Sequence, residues 1–513
     1  MMNIERLQQR INYQISTVNT YFSLIIIDID FFIRYCIRFS KENCNKIMNN
    51  IGKFLKEELK EHSFYHNKAS DEFFIICLNF DNKSATELIK EILNKFRKQR
   101  FASFMGEDFK ALRITFSAGI ASYPQNGHKI EICRKATIAL FAAKALRRNH
   151  IVSYDNTPSY PSNRILYNKS FTISTLIGKW GEAGKINGKI CANKSLLWEP
   201  QAIAVSETGD LFIADQNNHQ ILWHNCNTIK PLIGNGSFGI SKSGIKADKG
   251  KLNKPTGLYV HKDILYITDT GNDYVIRVSL RTKRVYSFCG TGKAGYLGDG
   301  GLALMAALNK PGGIVVDKDN NVYINDIANN VIRKVDTQGI ITTFAGNGKF
   351  GYDGDNGLAI LASFNEIYGI GIDIKGENIF VADYFNHCIR RINIASGIIT
   401  TVAGCGDCGY SGDGGKSMKA CLNRPVAVCL DDNDNLYIAE SGNHCVRIVM
   451  ANNNTMYTLA GGCGRGTGQA DDINCFQFTN PNSLAIYKQY LYILDGANNR
   501  VCKINLMEGY DNG

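Results

Sequence analysis

The strongest constraint on this chain is a hairpin motif that recurs six times in its C-terminal two thirds. In each copy an apolar run ends in an acidic residue, an Asn follows three positions later, and a Val or Ile follows six positions later. A period of this length indicates a repeat architecture in which each copy forms one structural unit. The acids, spaced by 54 to 57 residues, are Asp215, Asp269, Asp326, Asp383, Glu440 and Asp495.

Each copy of the motif predicts four short strands. The acid marks the end of a half-buried strand, and the Asn tolerates the left-handed backbone of a tight turn, so that a second strand can return beside the first. An apolar strand precedes this hairpin, as in residues 309–317, and a strand ending in Gly follows it. Four strands in six copies predict an all-β six-bladed propeller over residues 170–513, because radial repetition leaves only short, protected sheet edges.

The ring is predicted to close with a strand from the start of the repeat region. Residues 170–178 have the pattern of a fourth strand with no first three strands before them, whereas the last copy ends after its third strand, near Ile504. We therefore expect 170–178 to complete the last blade. Residues 156–169 carry two of the nine prolines and are the predicted linker to the N-terminal part of the chain.

The repeated hairpin resembles the NHL repeat. The resemblance rests on the recurrence of the whole motif in register, on Asn-His pairs at 386–387 and 443–444, and on Gly-Asp-rich loops at 295–303, 351–359 and 409–417. It implies a module that binds a protein partner or a small ligand. RNA, which some NHL proteins bind, is the less favoured partner. The loops are interpreted as turns in preference to Ca²⁺ sites, because each offers only one or two carboxylates.

Three arginines are the candidate functional residues of the propeller surface. Arg333, Arg390 and Arg447 occupy equivalent positions in three successive copies. As a basic strip on one face they would meet phosphates with salt-sensitive affinity. The alternative, that each pairs with neighbouring acids, is favoured by the small surplus of 34 basic over 31 acidic residues in 156–513.

Residues 1–155 follow a different pattern, in which helical and strand periodicities alternate. Apolar residues at three- and four-residue spacing predict amphipathic helices, and short apolar runs between them predict strands. This order predicts an α/β domain with helices packed on one sheet. The strands are expected at 24–28, 73–78 and 112–120, and the helices at 4–18, 40–61, 84–97 and 131–146.

Three fragments of this domain resemble the GGDEF family of diguanylate cyclases in order and spacing. They are LIIIDIDFF (24–32), ASDEF (69–73) and ITFSAGIASYP (114–124), the last followed by a helical segment at 135–149. The resemblance spans 20–155 and implies a palm-like, nucleotide-cyclase-like fold that takes a GTP-like nucleotide, with Mg²⁺ as its cofactor. A homodimer is expected of an active cyclase, since each subunit contributes one nucleotide to the product.

The resemblance assigns the metal site to acids at strand ends. Asp28 and Asp71 are the implied carboxylate ligands, and the main-chain carbonyl of Ile29 is the implied third ligand. Carboxylates in such a place hold Mg²⁺ against triphosphate oxygens. Asp71 and Glu72 are the implied catalytic residues, with Glu72 beside the reacting hydroxyl.

For the nucleotide, the resemblance implies contacts from Phe32, Cys36, Asn45, Lys144 and Arg148. Lys144 and Arg148 lie one helical turn apart and can face phosphates. Cys36 and Asn45 stand where active members have an Asn and an Asp that hydrogen-bond guanine. Cys is a poor hydrogen-bonding group for a purine edge, and an amide cannot accept from both guanine N–H groups as a carboxylate does.

These departures favour a signalling protein with a catalytically impaired GGDEF domain and a ligand- or protein-binding propeller. The signature turn also has Ala69 and Ser70 in place of two glycines, and the side chain of Ser70 would intrude on a nucleotide. The alternative is an active diguanylate cyclase, or a related enzyme with altered base preference, that the propeller regulates. The retained acids and phosphate-facing cations favour this alternative.

No secretory or membrane-spanning segment is recognisable in the sequence. The N-terminus lacks the apolar core of a signal peptide, and the most apolar early run, 22–32, is short and interrupted by polar residues. We therefore expect a cytoplasmic protein with no membrane partner, in which the 16 cysteines are free thiols. Cys405 and Cys408 have C-x-x-C spacing, but the sequence around them offers no second pair, so a metal site is not expected there.

Overall fold

The computed structural model describes residues 20–30, 41–66, 72–99, 114–126, 149–156, 172–179, 181–462 and 476–506, with single positions at 15, 101, 132, 135, 136, 139, 140 and 143. The chain divides into two compact units, Met1–Ser162 and Asn163–Gly513. The boundary between them falls within the predicted linker. Among the residues so described, no helix combines the length and the apolar composition needed to cross a membrane.

The first unit is built on a five-stranded sheet. The strands are β1 (Phe22–Ile29), β2 (Ser63–His66), β3 (Glu72–Leu78), β4 (Phe116–Tyr123) and β5 (Ile151–Ser153), in the spatial order β2–β3–β1–β4–β5. The central strand, β1, runs antiparallel to both β3 and β4, whereas β5 runs parallel to β4. Every residue of β1 is buried, which explains why its sequence is a nearly continuous apolar run.

Two helices, α1 (Lys41–Glu58) and α2 (Asn82–Phe96), pack on one face of this sheet. Both are amphipathic, and their apolar stripes share one core with the side chains of that face. α2 begins where the carboxylate of Asp81 accepts a hydrogen bond from the N–H of Ser84 at 2.7 Å. This N-cap satisfies one of the backbone donors that the first turn of a helix leaves unpaired.

Three single described positions pack on the opposite face of the sheet. Leu24 and Ile26 of β1 pack against Ile132, Ala136 and Leu140. Residues four apart lie on one side of a helix, so this contact agrees with the periodicity of the predicted closing helix. The described part of the unit nevertheless contains two complete helices, fewer than the α/β pattern predicts.

The sequence pattern missed the two edge strands of the sheet. β2 has four residues, all half-buried, and β5 has three. Strands this short carry too little alternation between apolar and polar residues to be recognised. The predicted strand at 112–120 begins later in the structure, at Phe116.

The second unit is a set of six antiparallel sheets, numbered here as blades 1 to 6. Its first strand is β6 (Ile173–Gly178). Blade 1 contains β7 (Ile190–Cys191), β8 (Pro200–Val205), β9 (Leu211–Asp215), β10 (Gln220–Asn225) and β11 (Thr228–Ile233). Blade 2 contains β12 (Gly257–His261), β13 (Ile264–Asp269), β14 (Tyr274–Ser279) and β15 (Val285–Cys289). Blade 3 contains β16 (Pro311–Val316), β17 (Val322–Asp326), β18 (Val331–Val335) and β19 (Ile341–Ala345).

Blade 4 contains β20 (Ile367–Ile372), β21 (Asn378–Asp383), β22 (Cys388–Asn393) and β23 (Ile399–Ala403). Blade 5 contains β24 (Pro425–Leu430), β25 (Leu436–Glu440), β26 (Cys445–Met450) and β27 (Thr455–Gly461). Blade 6 contains β28 (Pro481–Tyr487), β29 (Tyr490–Asp495) and β30 (Arg500–Asn505), followed in the sheet by β6. The innermost strands of successive blades contact one another, including β28 with β8. The six sheets therefore form a closed ring.

Blade 6 joins the two ends of the repeat region. β6 pairs antiparallel with β30, with Ile177 opposite Val501. A second link runs from blade 6 to blade 1, where Oδ1 of Asn499 accepts a hydrogen bond from the N–H of Glu199 at 2.8 Å. The last blade thus takes three strands from the end of the unit and one from its start, which is the arrangement expected from the sequence pattern.

Each motif acid is buried and ties together three segments of its blade. In blade 3, Asp326 accepts hydrogen bonds from the N–H of Asn309 and from Nδ2 of Asn329, both at 2.7 Å. Asn329 also donates to the carbonyl of Gly295 at 2.8 Å. The other five acids accept from the equivalent N–H and the equivalent Asn. These donors satisfy a carboxylate that burial would otherwise destabilise.

The residue after each motif Asn links its blade to the next one. Its backbone is left-handed, with φ between 51° and 56° in all six copies. Nδ1 of His387 accepts a hydrogen bond from the N–H of Arg424, and Nδ1 of His444 accepts one from the N–H of Asn480, both at 3.2 Å. An imidazole nitrogen that accepts is unprotonated. The recurring histidines are therefore hydrogen-bond acceptors between blades.

Two of the six motif acids are buried among neutral partners. Within the described ranges, neither Asp215 nor Asp269 has a cationic partner. Burial raises the pKa of Asp215 to about 6 and the pKa of Asp269 to about 7, although backbone and side-chain donors oppose the shift. The folded state holds this proton to a higher pH than the unfolded state, so each group lowers the free energy of unfolding as the pH rises from about 4 toward its folded pKa.

The substitution Asp269→Asn removes this titration. Relative to the variant, the wild type should lose a few kcal/mol of unfolding free energy between about pH 4 and about pH 7, since one pKa unit corresponds to about 1.4 kcal/mol. Urea denaturation followed by tryptophan fluorescence measures this difference, because Trp180, Trp198 and Trp223 all lie in the second unit. Asp248→Asn, which removes an exposed carboxylate, is the control. A difference between wild type and Asp269→Asn that stays constant with pH would contradict the raised pKa.

Candidate functional site

The first candidate site lies where β1, β3 and β4 end side by side. Asp28 of β1 is opposite Glu72 of β3 on one side and opposite Ser117 of β4 on the other. Asp28 is 8% exposed, and the next residue, Ile29, is fully buried. The carboxylate of Asp28, at the end of the central strand, therefore lies at the end of the sheet where β3 begins.

The structure describes only some of the residues of the predicted nucleotide site. Glu72 is described by its backbone alone, and its register opposite Asp28 is as stated above. Asn45 lies on the exposed side of α1. The remaining predicted residues lie outside the described ranges: Phe32, Cys36, Asp71, Lys144 and Arg148.

Sequence analysis missed Asp30, which organises this strand end. Its carboxylate accepts hydrogen bonds from Oγ1 of Thr115 and Oγ of Ser117, both at 2.7 Å, and from the N–H of Asn149 at 2.9 Å. Asp30 also donates its own N–H to the carbonyl of Thr115 at 2.9 Å. One buried side chain thus joins the end of β1 to β4 and to the segment that leads into β5.

Opposing influences act on the pKa of Asp30, and the net effect is a raised pKa. Burial raises its pKa, the three donors oppose that shift, and the nearby negative charge of Asp28 adds to it. The signal in the sequence is the second acid of the Asp-x-Asp run at the end of β1, but no local pattern links it to Thr115 and Ser117, which follow it by 85 and 87 residues. The cluster holds the position of Asp28, because both acids belong to the same strand end.

The structure corrects the assignment of Arg333, Arg390 and Arg447 to the propeller surface. All three side chains are fully buried, so they form no strip that a phosphate could reach. Arg390 lies between two carboxylates, with Nη2 at 2.8 Å from Oδ1 of Asp355 and Nη1 at 3.8 Å from Oδ2 of Asp383. The guanidinium can be buried because these two acids, together with the carbonyls of Ser363 and Asp353, offset the cost of removing its charge from water.

The second acid of each arginine comes from a Gly-Asp-rich loop. Asp299 contacts Arg333 at 2.6 Å, and Asp413 contacts Arg447 at 2.5 Å. A tyrosine ring of the same loop lies 5.1 to 5.4 Å from each guanidinium, within the range of cation–π attraction. These loops are therefore built around an internal ion pair.

The second candidate site is a channel along the axis of the propeller, with a volume of ≈ 830 Å³. The innermost strands of all six blades line it, with Gly, Ala, Val and Ile as the commonest residues of its walls and with polar residues such as Gln201 and Ser483 among them. One mouth lies where these strands begin and the second strands end. The polar and aromatic residues of that mouth include Gln216, Thr270, Lys310, Glu366, Tyr368 and Tyr384.

Two tyrosines form the main aromatic surface at this mouth. The rings of Tyr368 and Tyr384 have centroids 4.7 Å apart, and the guanidinium of Arg424 lies 5.9 Å from the Tyr384 ring. Tyr368 remains 44% exposed. Burial of its hydroxyl, with Tyr384 and Glu366 nearby, raises the pKa of Tyr368. The channel is a concave site of mixed polar and apolar lining, and concave sites of this size are where small ligands bind.

Asp30→Asn tests the cluster at the end of β1. An amide directs an N–H₂ group toward hydrogen-bond donors, so the N-terminal unit should lose about 1–3 kcal/mol of stability. Hydrogen exchange of the amides in β1 and β4 measures this loss without interference from the propeller. Asp81→Asn should change the exchange little, because Asn caps a helix about as well as Asp. Unchanged protection of β1 in Asp30→Asn would contradict the role of Asp30.

The loop acids offer a graded test of the buried arginines. The side chains of Asp299, Asp355 and Asp413 are 45%, 30% and 10% exposed. The loss of stability on Asp→Asn substitution should increase in that order, from about 1 kcal/mol for an exposed pair toward 3–5 kcal/mol for a buried one. Urea denaturation of the three variants measures it. Equal losses in all three would show that the burial of the acid does not set the strength of the pair.

Comparisons with known proteins agree with this division of the chain. Residues 1–150 match the family model of the diguanylate cyclase GGDEF domain. Residues 285–351 match the model of the teneurin NHL domain, and residues 422–449 match the NHL repeat.

Curated relatives match a little more than half of this chain. NHL repeat-containing protein 2 of Bos taurus is 26% identical over 373 residues, which cover 63% of this chain and 50% of that protein. The chloroplastic protein SUPPRESSOR OF QUENCHING 1 of Arabidopsis thaliana is 26% identical over 296 residues, covering 54% of this chain and 27% of that protein. The chain therefore spans about half the length of these relatives, or less.

Among solved structures, an auxiliary nutrient binding protein from Bacteroides ovatus superposes with a TM-score of 0.48 at 16% identity, over 66% of this chain and 77% of that chain. The chain therefore joins a region that matches the GGDEF-domain family, residues 1–150, to a six-bladed propeller that carries matches to the NHL repeat.

Proposed function

We propose that this chain is a signalling protein whose GGDEF domain binds a GTP-like nucleotide with little or no cyclase turnover, while its propeller binds a small ligand or a protein partner. The observation that carries the first half is the register of Asp28 opposite Glu72 at the shared edge of β1 and β3. The observation that carries the second half is the axial channel with its aromatic mouth.

The donors at the strand ends suit Mg²⁺, which prefers carboxylate and carbonyl oxygens. Asp28, the carbonyl of Ile29 and Asp71, which directly precedes Glu72, are the residues that would hold the ion. When bound, Mg²⁺ neutralises charge on the triphosphate. Asp30 keeps the strand end in place through Thr115 and Ser117, so that Asp28 is fixed before a nucleotide arrives.

The proposed impairment concerns recognition of the base. An active site that reads guanine uses an amide and a carboxylate, and here the two positions are Cys36 and Asn45. Neither side chain can replace the missing hydrogen bonds. A site built around a polar edge loses discrimination steeply when its partners are absent. Binding would then rest on the metal and on phosphate contacts from Lys144 and Arg148.

An active diguanylate cyclase, or a related nucleotidyl cyclase with a different base preference, is the second candidate. The same register of Asp28 and Glu72 favours it, because a domain that kept no phosphate chemistry would not need two acids at one sheet edge. In this case the propeller would regulate the enzyme. GTP-like substrate and a homodimer belong to this candidate.

Turnover and binding distinguish the two candidates. The full chain is incubated with each NTP and Mg²⁺, products are separated by chromatography, and Mg²⁺-dependent binding of a non-hydrolysable GTP analogue is measured by calorimetry. We expect binding without a dinucleotide product, and loss of binding in Asp28→Ala. Glu91→Ala, which removes an exposed acid of α2, should bind as the wild type does. A dinucleotide product that disappears in Asp28→Ala would overturn the proposal in favour of the active enzyme.

Restoring the base-reading side chains gives a gain-of-function test. The double variant Cys36→Asn, Asn45→Asp should bind the GTP analogue at least about tenfold more tightly than the wild type, because the lost polar contacts are then available. The ATP analogue is the matched control and should not gain. An equal gain for both nucleotides, or none for either, would contradict the assignment of the impairment to these two residues.

A further inference from the structure

Two cysteines lie in contact within the loop that connects blade 4 to blade 5. Sγ of Cys405 is 3.2 Å from Sγ of Cys421. Cys405 is exposed and Cys421 is half-buried, so a small reagent can reach the pair. Cys408, which has C-x-x-C spacing with Cys405, instead donates to Oδ1 of Asn423 at 2.9 Å. Among the described residues, no three His, Cys, Asp or Glu side chains gather in a way that could hold a metal.

The backbone holds the two cysteines together. The N–H of Cys405 donates to the carbonyl of Ala420 at 2.9 Å, and the N–H of Gly409 donates to the carbonyl of Leu422 at 3.0 Å. These bonds flank the thiol pair and join the two legs of the loop. The short Sγ–Sγ distance therefore follows from the path of the main chain. Disulfide bonding, at about 2.05 Å, needs the sulfurs to move by only about 1 Å.

In the equivalent loop between blades 3 and 4, the two positions that correspond to Cys405 and Cys421 are joined by a hydrogen bond. There Nδ2 of Asn347 donates to Oγ of Ser363 at 3.0 Å. Asn347 and Ser363 occupy the positions of Cys405 and Cys421, counted from the Gly-Asp-rich stretch of each loop. The loop between blades 3 and 4 is thus bridged by a polar side-chain pair, whereas the loop between blades 4 and 5 has two thiols at the equivalent positions.

We propose that Cys405 and Cys421 form a reversible, redox-sensitive disulfide, with a low-molecular-weight disulfide such as oxidised glutathione as the oxidant. One protein thiolate attacks a sulfur of the oxidant, forms a mixed disulfide and releases one glutathione thiolate. The second protein thiolate then attacks the bound protein sulfur and releases the second glutathione. Two protein thiols lose their protons and two electrons, and one oxidised glutathione becomes two reduced molecules.

The environment of the pair makes the exchange slow at neutral pH. Partial desolvation of the Cys405 sulfur, together with the neighbouring Cys421 thiol, raises the pKa of Cys405 to about 11, while a backbone donor opposes the shift. Because the thiolate is the reactive form, the rate of cross-linking increases with pH. The site is therefore suited to sustained oxidation more than to rapid signalling.

The cross-link would act on the ion pair of blade 5. The loop between the two cysteines carries Asp413, whose carboxylate is 2.5 Å from the buried guanidinium of Arg447. Closing the loop covalently limits its freedom in the unfolded chain, and in the folded chain it keeps Asp413 beside Arg447. Oxidation should therefore raise the unfolding temperature of the propeller.

Peptide mapping tests the proposal on the full chain. The protein is equilibrated with oxidised or reduced glutathione, alkylated and digested with trypsin. Cys405 falls in peptide 392–416 and Cys421 in peptide 420–447, since trypsin spares the Arg424–Pro425 bond. We expect these two peptides to be linked after oxidation, linked again in Cys408→Ser, and separate in Cys405→Ser and in Cys421→Ser.

Two results of the peptide mapping would overturn the proposal. One is the absence of linked peptides at every glutathione ratio while mixed disulfides form. The other is a link that persists in Cys421→Ser, which would assign the bond to Cys429 or Cys445 of the same peptide. As an independent measurement, thermal unfolding should show a rise of several degrees on oxidation in the wild type and in Cys408→Ser, and none in Cys405→Ser. A rise of equal size in Cys405→Ser would contradict the assignment.

Discussion

A carboxylate removed from water at the end of the second strand is the contact on which every blade depends. Its hydrogen-bond donors come from the entrance of the first strand and from the turn after the second. Because these donors belong to separate segments, satisfying one acid fixes the hairpin and its neighbouring loop together. The blades differ in the side chain that completes the set. Blade 1 uses Gln220, blade 2 uses Tyr274 and blade 6 uses Arg500, whereas the three blades between them use an arginine two positions further along.

The buried arginines of blades 3 to 5 extend this contact to the outer loops. Each guanidinium faces the acid of its own blade and the acid of a loop that precedes the blade. The loops are rich in glycine, and their backbones alone would be poorly constrained. An internal ion pair therefore helps to fix the path of these glycine-rich segments. Blade 4, which contains one of these ion pairs, also supplies Tyr368 and Tyr384 to the mouth of the channel.

The repeat architecture was predictable because its determinants are local. The acid and the Asn are three residues apart, so the hairpins and their number follow from the sequence alone. The burial of Arg390 was not predictable in the same way, because its second acid, Asp355, lies 35 residues earlier and on another element. The small net charge of the propeller region favoured pairing of the arginines with acids, but it did not indicate which acid pairs with which arginine. In the first unit the strand carrying Asp28 was predicted from its apolar run, whereas Asp30 depends on hydroxyls of β4 that no local pattern connects to it.

The pairing of β6 with β30 has a consequence for how the protein is made. β6 leaves the ribosome first among the propeller strands, and its partner Val501 follows Ile177 by more than three hundred residues. Its apolar side chains must remain without their native neighbours while five blades are synthesised. Native pairings this distant in the chain form slowly and expose surfaces that aggregate. Closing the ring with the first strand therefore delays the burial of β6 until the last blade has been synthesised.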